Sequence, residues 1–270
     1  MRKIILITGS TDGIGLAAAK LLVEQGHYVL LHGRNSDKLA AVEKQLAALP
    51  GDGQVESYVA DLSRMADVEA LATAVTKRHQ KLDVLINNAG VFRVAETITS
   101  DGLDIRFAVN TIAPYLLTQR LMPLLDTSGR VINISSAAQA PVNPDALAGR
   151  VKLSDDFGAY AQSKLAITMW SRALALKNDG PIMVAVNPGS MLGSKMVKEA
   201  FGVAGADIGI GATIVTHAAL ADEFATASGQ YFDNDSGRFA SPHPDALNAQ
   251  KSDAIVRAIE AVLADITSAS

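Results

Sequence analysis

The sequence predicts an α/β fold built on a single, doubly wound parallel sheet with helices on both faces. Three observations predict it: short, almost continuous apolar runs, stretches of helical spacing between them, and a glycine-rich turn directly after the first run. Almost continuous apolar runs are typical of parallel strands that are buried on both faces. Because right-handed crossovers collect such strands into one open sheet, we expect a ligand crevice at the carboxyl ends of the strands.

Strands and helices are predicted to alternate along the chain. Strands are predicted at residues 4–7, 28–31, 55–59, 84–86, 131–134 and 184–186. Helices are predicted at residues 14–24, 36–49, 66–78, 103–121 and 160–176, by apolar residues at helical spacing. Segments 141–157, 189–211 and 229–247 are rich in Gly, Pro, Asp or Ser and are predicted to be irregular. Because the chain has no repeat and no linker-like stretch, residues 1–270 are expected to form one domain.

The composition excludes several classes of protein. Hydrophobic residues make up 49% of the chain and charged residues 19%, so it can bury a core, and its net charge of −4 argues against a nucleic-acid surface. The chain has no cysteine, which suits a reducing compartment, and its five histidines show no metal-ligand spacing. A strand is already predicted at residue 4, and no apolar run reaches the about 20 residues of a membrane span. We therefore expect a cytoplasmic protein without a membrane span or metal, acting on a small molecule.

A glycine-rich turn follows the first predicted strand and opens the first predicted helix. It comprises Gly9, Ser10, Thr11, Asp12, Gly13, Ile14 and Gly15. Glycines let the backbone turn tightly and approach a pyrophosphate, which the amino end of a helix stabilises. The spacing differs from the Gly-x-Gly-x-x-Gly fingerprint, and a turn that uses glycine only for packing is the alternative. Its position at the first strand-to-helix turn favours a dinucleotide site on a Rossmann-type sheet.

Two further groups of residues could carry acid–base chemistry. Tyr160 and Lys164 lie four residues apart, on one face of a predicted helix. A neighbouring cation favours a phenolate, so Lys164 is expected to lower the pKa of Tyr160 from its ordinary value of about 10. Ser135 and Ser136 follow a predicted strand at the crevice end, where a hydroxyl can polarise a carbonyl. Taken singly, these residues and Asn110 also occur on solvated helix faces, in turns and in caps.

In order and spacing, these pieces resemble the short-chain dehydrogenase/reductase family from Lys3 to about Gly237. The resemblance implies a catalytic tetrad of Asn110, Ser136, Tyr160 and Lys164. It also implies cofactor contacts at residues 9–15 and at Asp61, Leu62, Asn88, Ala89, Gly90, Tyr160, Lys164, Pro188 and Gly189. The chain looks closest to the retinol-dehydrogenase-like group, which includes the WW-domain-containing oxidoreductase. Like members of that group, it has an insertion, residues 141–157, before the tyrosine.

The resemblance implies hydride transfer between a nicotinamide and a substrate carbon, with Tyr160 giving or taking the hydroxyl proton. Ser136 would position the substrate oxygen, Lys164 would hold the ribose, and Asn110 would anchor a water that connects Lys164 to solvent. Residues of about 189–211 are predicted to form a substrate lid. The expected pocket wall, Val91, Phe92, Met191, Met196, Val197 and Phe201, favours an apolar ketone, aldehyde or alcohol. Family members also commonly form homodimers or homotetramers. The alternatives are a non-catalytic dinucleotide-sensing protein and a dehydratase or epimerase of the same family.

The end of the second predicted strand bears on the choice of cofactor. NAD-binding proteins place an acid there, about 20 residues after the glycine turn. Gly33 occupies that position, Arg34 could offer its forked guanidinium to a 2′-phosphate, and Asn35 could add an amide donor. The sequence therefore predicts a preference for NADP(H), with NAD(H) possible. The alternative is that Arg34 is only a solvated residue after a strand.

Overall fold

The computed structural model describes residues 1–177 and 179–269, except for the side chains of Ala200, Phe201 and Ala269. Within this part of the chain, eight strands form one sheet: β1 (Ile4–Ile7), β2 (Tyr28–Gly33), β3 (Gln54–Val59), β4 (Val84–Asn87), β5 (Arg130–Ile134), β6 (Ile182–Asn187), β7 (Tyr231–Asp233) and β8 (Arg238–Ala240). Their order is β3-β2-β1-β4-β5-β6-β7-β8, and all neighbours pair in parallel except β7 and β8. The predicted doubly wound fold is confirmed.

Helices cover both faces of the sheet. They are α1 (Gly13–Glu24), α2 (Ser36–Ala47), α3 (Met65–Arg78), α4 (Ile105–Phe107), α5 (Ala113–Leu121), α6 (Pro144–Leu147), α7 (Asp156–Lys177), α8 (Lys195–Phe201), α9 (Ile208–Leu220), α10 (Pro244–Leu247) and α11 (Ala249–Ala269). Successive strand residues point to opposite faces, so Leu6 lies in the core with α3, α5, α7 and α11. Ile5 and Ile7 lie in the second core, with α1, α2 and α9. None of the helices described is long and apolar enough to cross a membrane.

The strand order reverses at β1, which pairs with β2 on one side and with β4 on the other. Chains leaving neighbouring strands at such a point cross to opposite faces, and a crevice opens at the carboxyl ends. The glycine turn follows β1 at this edge of the sheet, and Ser136 comes soon after the end of β5 at the same edge. The fold therefore brings the two predicted parts of the site to one crevice.

The predicted helix at 103–121 starts later and is interrupted. Asp104 accepts a hydrogen bond from the Arg106 amide and caps α4, so the helix begins at Ile105. Residues Ala108–Ile112 then form a π-helical turn before α5, a distortion that is frequent at functional sites. The fully buried Arg106 side chain pairs with Asp104 and with Asp156 in the first turn of α7. This network ties the distorted helix to the helix that carries Tyr160 and Lys164.

Several elements lie where the sequence predicted none. The segment 229–247, expected to be irregular, holds β7, β8 and α10. The strands β7 and β8 were missed because three residues are too few to show a period. Helix α11 was also missed, although Ile255, Ile259 and Val262 have helical spacing and are buried. The insertion 141–157 contains α6, and α7 begins four residues before Tyr160, at Asp156.

Candidate active site

The structure brings the four expected catalytic residues to one place. Ser136 lies near enough to the Tyr160 hydroxyl to act on its pKa, and the Lys164 Nζ lies 5.7 Å from the centroid of the Tyr160 ring. Gly90 lies next to both Lys164 and Asn110: a Cβ built on that glycine would lie 3.5 Å from Lys164 Nζ and 3.5 Å from Asn110 Oδ1. The turn after β4 therefore meets the tetrad directly.

The two adjacent serines have different surroundings. Ser135 is 2% exposed, and its hydroxyl donates to the Lys164 carbonyl at 3.1 Å and lies 2.7 Å from the Thr168 hydroxyl. Ser136 instead faces Tyr160. Because consecutive side chains of an extended segment alternate in direction, only the second serine points into the crevice.

Ser136→Ala should therefore reduce turnover more than Ser135→Ala. The first change removes the hydroxyl beside Tyr160, whereas the second removes a buried structural hydrogen bond worth about 1 kcal/mol of stability. Steady-state kinetics and thermal unfolding of both variants check this. If Ser135→Ala were the more severe change in kcat, the oxygen-binding role would belong to Ser135.

Asn110 uses its side chain to hold the crevice together. It is fully buried in the π-helical turn, where its Oδ1 accepts from the Val91 amide at 2.8 Å. Its Nδ2 donates to the Val91 carbonyl and to the Ser163 hydroxyl, each at 2.9 Å. These three bonds fix the loop after β4 against α7. The expected role in anchoring a water stays a prediction.

The protein by itself raises the pKa of Tyr160, so the expected lowering by Lys164 is wrong for the chain alone. Burial is the cause, and Ser136 acts in the opposite direction. The Lys164 ammonium donates to the Ile134 carbonyl at 2.7 Å, and burial lowers the pKa of Lys164 to about 8. A phenol that keeps its proton is suited to protonate a carbonyl oxygen.

The glycine turn has the geometry of a phosphate cradle. Gly9 and Gly13 have φ of 66° and 57°, values that favour glycine, and a Cβ on Gly15 would lie 2.2 Å from the Gly9 carbonyl. Helix α1 therefore starts close against the turn, with its amino end toward the crevice. The Ser10 hydroxyl is buried against the main chain of His32, so this residue supports the turn from inside instead of facing a phosphate with its hydroxyl.

Other expected cofactor residues line the turns around this cradle. The Asn88 side chain donates to the carbonyls of Thr8 and Gly9, at 2.9 and 3.1 Å, and clamps the end of β4 to the glycine turn. Asp61 accepts from the Ser63 amide, and the Leu62 side chain is buried in the core. Leu62 can therefore reach a cofactor only with its main chain. Ala89 packs on Gly9, and Gly189 follows Pro188 with φ of 125°.

The end of β2 carries the residues expected to select the cofactor. Arg34 is exposed, while the Asn35 side-chain oxygen caps α2 by accepting from the Lys38 amide at 2.8 Å. A Cβ on Gly33 would lie 2.6 Å from Thr11 Cγ2, so close packing requires this glycine as well. Sequence reasoning missed that packing, because Thr11 is distant along the chain.

Lys38 is a second cation at this edge that the sequence analysis did not identify. Its Nζ pairs at 2.7 Å with Asp12, the residue that caps α1 by accepting from the Gly13 amide. This hydrogen bond lowers the pKa of Asp12, and the charge of Lys195 at the start of α8 adds to the effect. The available signal was a lysine in the first turn of the helix after β2.

Aromatic residues form a wall beside Tyr160. The Phe92 ring is 5% exposed and lies 5.0 Å from the Tyr160 ring, measured between centroids. Phe157, which the sequence analysis did not include, lies 6.2 Å from Phe92 and is half exposed. Val91 is partly buried beside them, whereas the side chain of Phe201 lies outside the described residues.

The expected lid, residues 189–211, holds α8 between two anchored ends. The Gly193 amide donates to the Ala206 carbonyl at 2.7 Å, and the Ala206 amide donates to the Met191 carbonyl at 2.8 Å. Ser190 donates to Asp235 with both its amide and its hydroxyl. Met196 and Val197 are half-buried on α8. The anchors leave residues 194–205 as the part that can move.

Two side chains from outside the predicted site hold the loop that carries Ser136. The Tyr231 hydroxyl on β7 and the Gln139 amide both donate to the Ser136 carbonyl, at 3.1 and 3.0 Å. A cavity of about 280 Å³ next to them is lined by Asp233, Asp235 and His243 among others. In the part of the chain that the structure describes, no three His, Asp or Glu residues form a metal-binding group.

The family model for short chain dehydrogenases matches residues 3–203. Human retinol dehydrogenase 13 is 30% identical over 251 residues, which cover 86% of this chain and 76% of the human protein. Mouse retinol dehydrogenase 12 is 32% identical over 251 residues, with coverage of 85% and 77%.

Solved structures agree with this similarity. The active-site complex of Pseudomonas aeruginosa RhlG with NADP superimposes with a TM-score of 0.69 at 27% identity, covering 87% of this chain and 95% of RhlG. A metagenomic short-chain oxidoreductase in complex with NADP has a TM-score of 0.61 at 32% identity, with coverage of 82% and 92%. The range matched by the family model includes both the glycine turn and the tyrosine helix.

Proposed function

Because the chain belongs to the short chain dehydrogenase family, in its retinol-dehydrogenase-like group, we propose that it transfers hydride between NADP(H) and an alcohol/carbonyl pair. We further propose that it reduces an apolar ketone or aldehyde. The observation that carries the proposal is the meeting of three side chains: Ser136 acts on the Tyr160 hydroxyl, and the buried Lys164 has its Nζ 5.7 Å from the centroid of the Tyr160 ring. When bound, the nicotinamide supplies the hydride.

The residues of the crevice divide the remaining work. The substrate oxygen would take the place between Ser136 and Tyr160, where the serine hydroxyl positions it and the phenol protonates it. The buried Lys164 would stabilise the phenolate that remains. Asn110 holds the loop after β4 against helix α7 through its hydrogen bonds with Val91 and Ser163. Positioned acid–base catalysis of this kind contributes about 10²- to 10⁴-fold in rate.

The cradle fits a dinucleotide. A Cβ on Gly9 or Gly15 would collide with neighbouring backbone, so the turn stays narrow and its amides stay close to the amino end of α1. Arg34 and Lys38 lie on the β2 side of this turn, where a 2′-phosphate would bind. These two cations and the lack of an acid at Gly33 support a preference for NADP(H), with NAD(H) as a weaker cofactor.

The substrate is proposed to be apolar because of what surrounds the reacting hydroxyls. Phe92 and Phe157 form one side, and Val197 on α8 could cover the other. Closing such a cover would exclude water from the reacting centre. The retinol dehydrogenases that this chain resembles are named for an apolar alcohol, which agrees with this proposal.

Lid movement can be measured without knowing the substrate. Amides of residues 194–205 should exchange hydrogen faster than those of α9 without ligand, and should slow when NADPH and a carbonyl compound are added. Main-chain hydrogen bonds hold both ends of the segment, but α8 between them has only seven residues. A helix this short opens more easily than α9, so its amides should exchange faster. Slow exchange that ligands do not change would contradict a lid.

The direct test of the proposed function is a panel of aldehydes, ketones and secondary alcohols with NADPH or NADP⁺, followed by nicotinamide absorbance. Turnover should be fastest with apolar carbonyl compounds. Tight NADPH binding with no turnover on any member would favour a dinucleotide-sensing protein instead. Elimination or epimerisation without net change in absorbance would favour the other chemistry of the family.

A further inference from the structure

His32 is a buried histidine on β2 whose ring contacts two turns of the proposed cofactor site. The residue is 3% exposed. Its Nδ1 accepts from the Gly9 amide at 3.0 Å, and its Nε2 lies 3.1 Å from the Ala60 carbonyl. Gly9 opens the phosphate turn, and Ala60 directly precedes Asp61. The imidazole of His32, on β2, therefore bonds to the turn after β1 and to the turn after β3.

The two partners define the protonation state of this ring. The Gly9 amide can only donate, so Nδ1 must be the unprotonated nitrogen, and the Ala60 carbonyl can only accept, so Nε2 carries the hydrogen. Both ring nitrogens are satisfied in one neutral tautomer. Burial lowers the pKa of His32 to about 4, although the nearby Asp61 and the Ala60 carbonyl act in the opposite direction. The ring therefore stays neutral at physiological pH.

The main chain of His32 is tied to the same turn. The Ser10 amide and hydroxyl donate to the His32 carbonyl, at 2.9 and 3.2 Å, and the His32 amide donates to the Ser10 hydroxyl at 2.8 Å. Gly9, with φ of 66°, also packs closely on Ala89. The Gly9 amide points into the protein and donates to His32. Only the later amides of the turn can therefore face a ligand in the crevice.

We propose that His32 is a positioning residue for the dinucleotide, which fixes the phosphate turn at Gly9 relative to Asp61, another expected cofactor contact. The inference rests on the proposed function in that the crevice must bind a dinucleotide. A positioning role predicts that loss of the ring weakens cofactor binding more than it slows the chemical step at Tyr160. An ordinary core histidine would affect only stability.

His27 provides a matched control at the opposite end of the same strand pair. Its Nδ1 accepts from the Lys3 amide at 3.2 Å, and the residue is 9% exposed. Replacing either histidine by leucine removes one acceptor for a main-chain amide of β1 or its flanking turn. His32→Leu also removes the donor to the Ala60 carbonyl, and only His32 lies at the crevice.

The test measures NADPH dissociation constants by fluorescence titration in wild type, His32→Leu, His32→Asn and His27→Leu. His32→Leu should weaken NADPH binding by about tenfold or more, equivalent to about 1.4 kcal/mol. His32→Asn should lose less, because its side-chain oxygen can still accept from Gly9. In steady-state assays, the KM for NADPH should rise more than kcat falls.

Binding by His32→Leu as tight as wild type, or an equal loss in His27→Leu, would overturn the inference. If His32→Leu does not fold, His32→Asn must still bind NADPH more weakly than His27→Leu does, or the inference fails. Failure of the wild-type protein to bind any nicotinamide dinucleotide would instead overturn the proposed function on which the inference rests. The two failures are thus distinguishable.

Discussion

Tyr160→Phe is expected to lower kcat by about two to four orders of magnitude while the dissociation constant for NADPH stays close to that of wild type. The substitution keeps the ring, and with it the contact between the Phe92 and Tyr160 rings. It removes the hydroxyl on which Ser136 acts and that would supply the proton. Stopped-flow or steady-state absorbance with the best carbonyl compound, together with NADPH titration, measures both quantities.

Tyr115→Phe is the matched control for this experiment. Tyr115 is also a buried tyrosine, and its hydroxyl donates to Glu260 at 2.9 Å, on the face of α5 covered by α11. Removing this hydroxyl should leave kcat within about twofold of the wild-type value, because the hydrogen bond to Glu260 does not contact the crevice. Such a bond contributes about 1 kcal/mol to the free energy of unfolding. Turnover by Tyr160→Phe at the level of Tyr115→Phe would remove Tyr160 from the mechanism.

Arg34→Leu is expected to erode the preference for NADPH over NADH. Hydrogen bonds to charged groups contribute about 1.5–3 kcal/mol, so the ratio of kcat/KM for NADPH and NADH should fall about tenfold to hundredfold. Lys44→Leu, which removes an exposed positive charge from the last turn of α2, is the control and should leave the ratio unchanged. A wild-type enzyme that prefers NADH would contradict the assignment outright.

Inverting the preference requires three changes, at Thr11, Gly33 and Arg34. An aspartate at Gly33 would repel a 2′-phosphate, but its Cβ would lie 2.6 Å from Thr11 Cγ2. Removing that methyl leaves Thr11 Cβ at 3.6 Å, an ordinary contact. Thr11→Ala/Gly33→Asp/Arg34→Leu should therefore favour NADH, with Thr11→Ala alone as the control, and kcat/KM for both cofactors checks it.

The central sheet was predictable because buried parallel strands have a simple composition. The strands β1, β4, β5 and β6 are mostly apolar and are buried on both faces, and the glycine turn marks the first crossover. The short strands β7 and β8 gave no such signal, because three residues cannot show a period of two. Their position is decided by pairing with β6 at the edge of the sheet.

The candidate site was predictable where motifs lie close together in sequence, as at Tyr160 and Lys164. Contacts between distant segments were not. The pKa of Tyr160 is raised because the effect of burial outweighs that of Ser136, which lowers it. Burial depends on the whole fold. Likewise, the pairing of Lys38 with Asp12 and the bond from Tyr231 to Ser136 join residues that only tertiary packing brings together.

Hydride transfer is tested most directly with NADPH in which both hydrogens on the reactive carbon of the nicotinamide are replaced by deuterium. The wild-type protein is incubated with this cofactor and the best apolar carbonyl compound, and the alcohol is analysed by mass spectrometry. We expect one deuterium on the carbinol carbon with the wild-type protein and almost no labelled alcohol with Tyr160→Phe. Alcohol without deuterium, or NADPH oxidation without alcohol, would contradict this expectation.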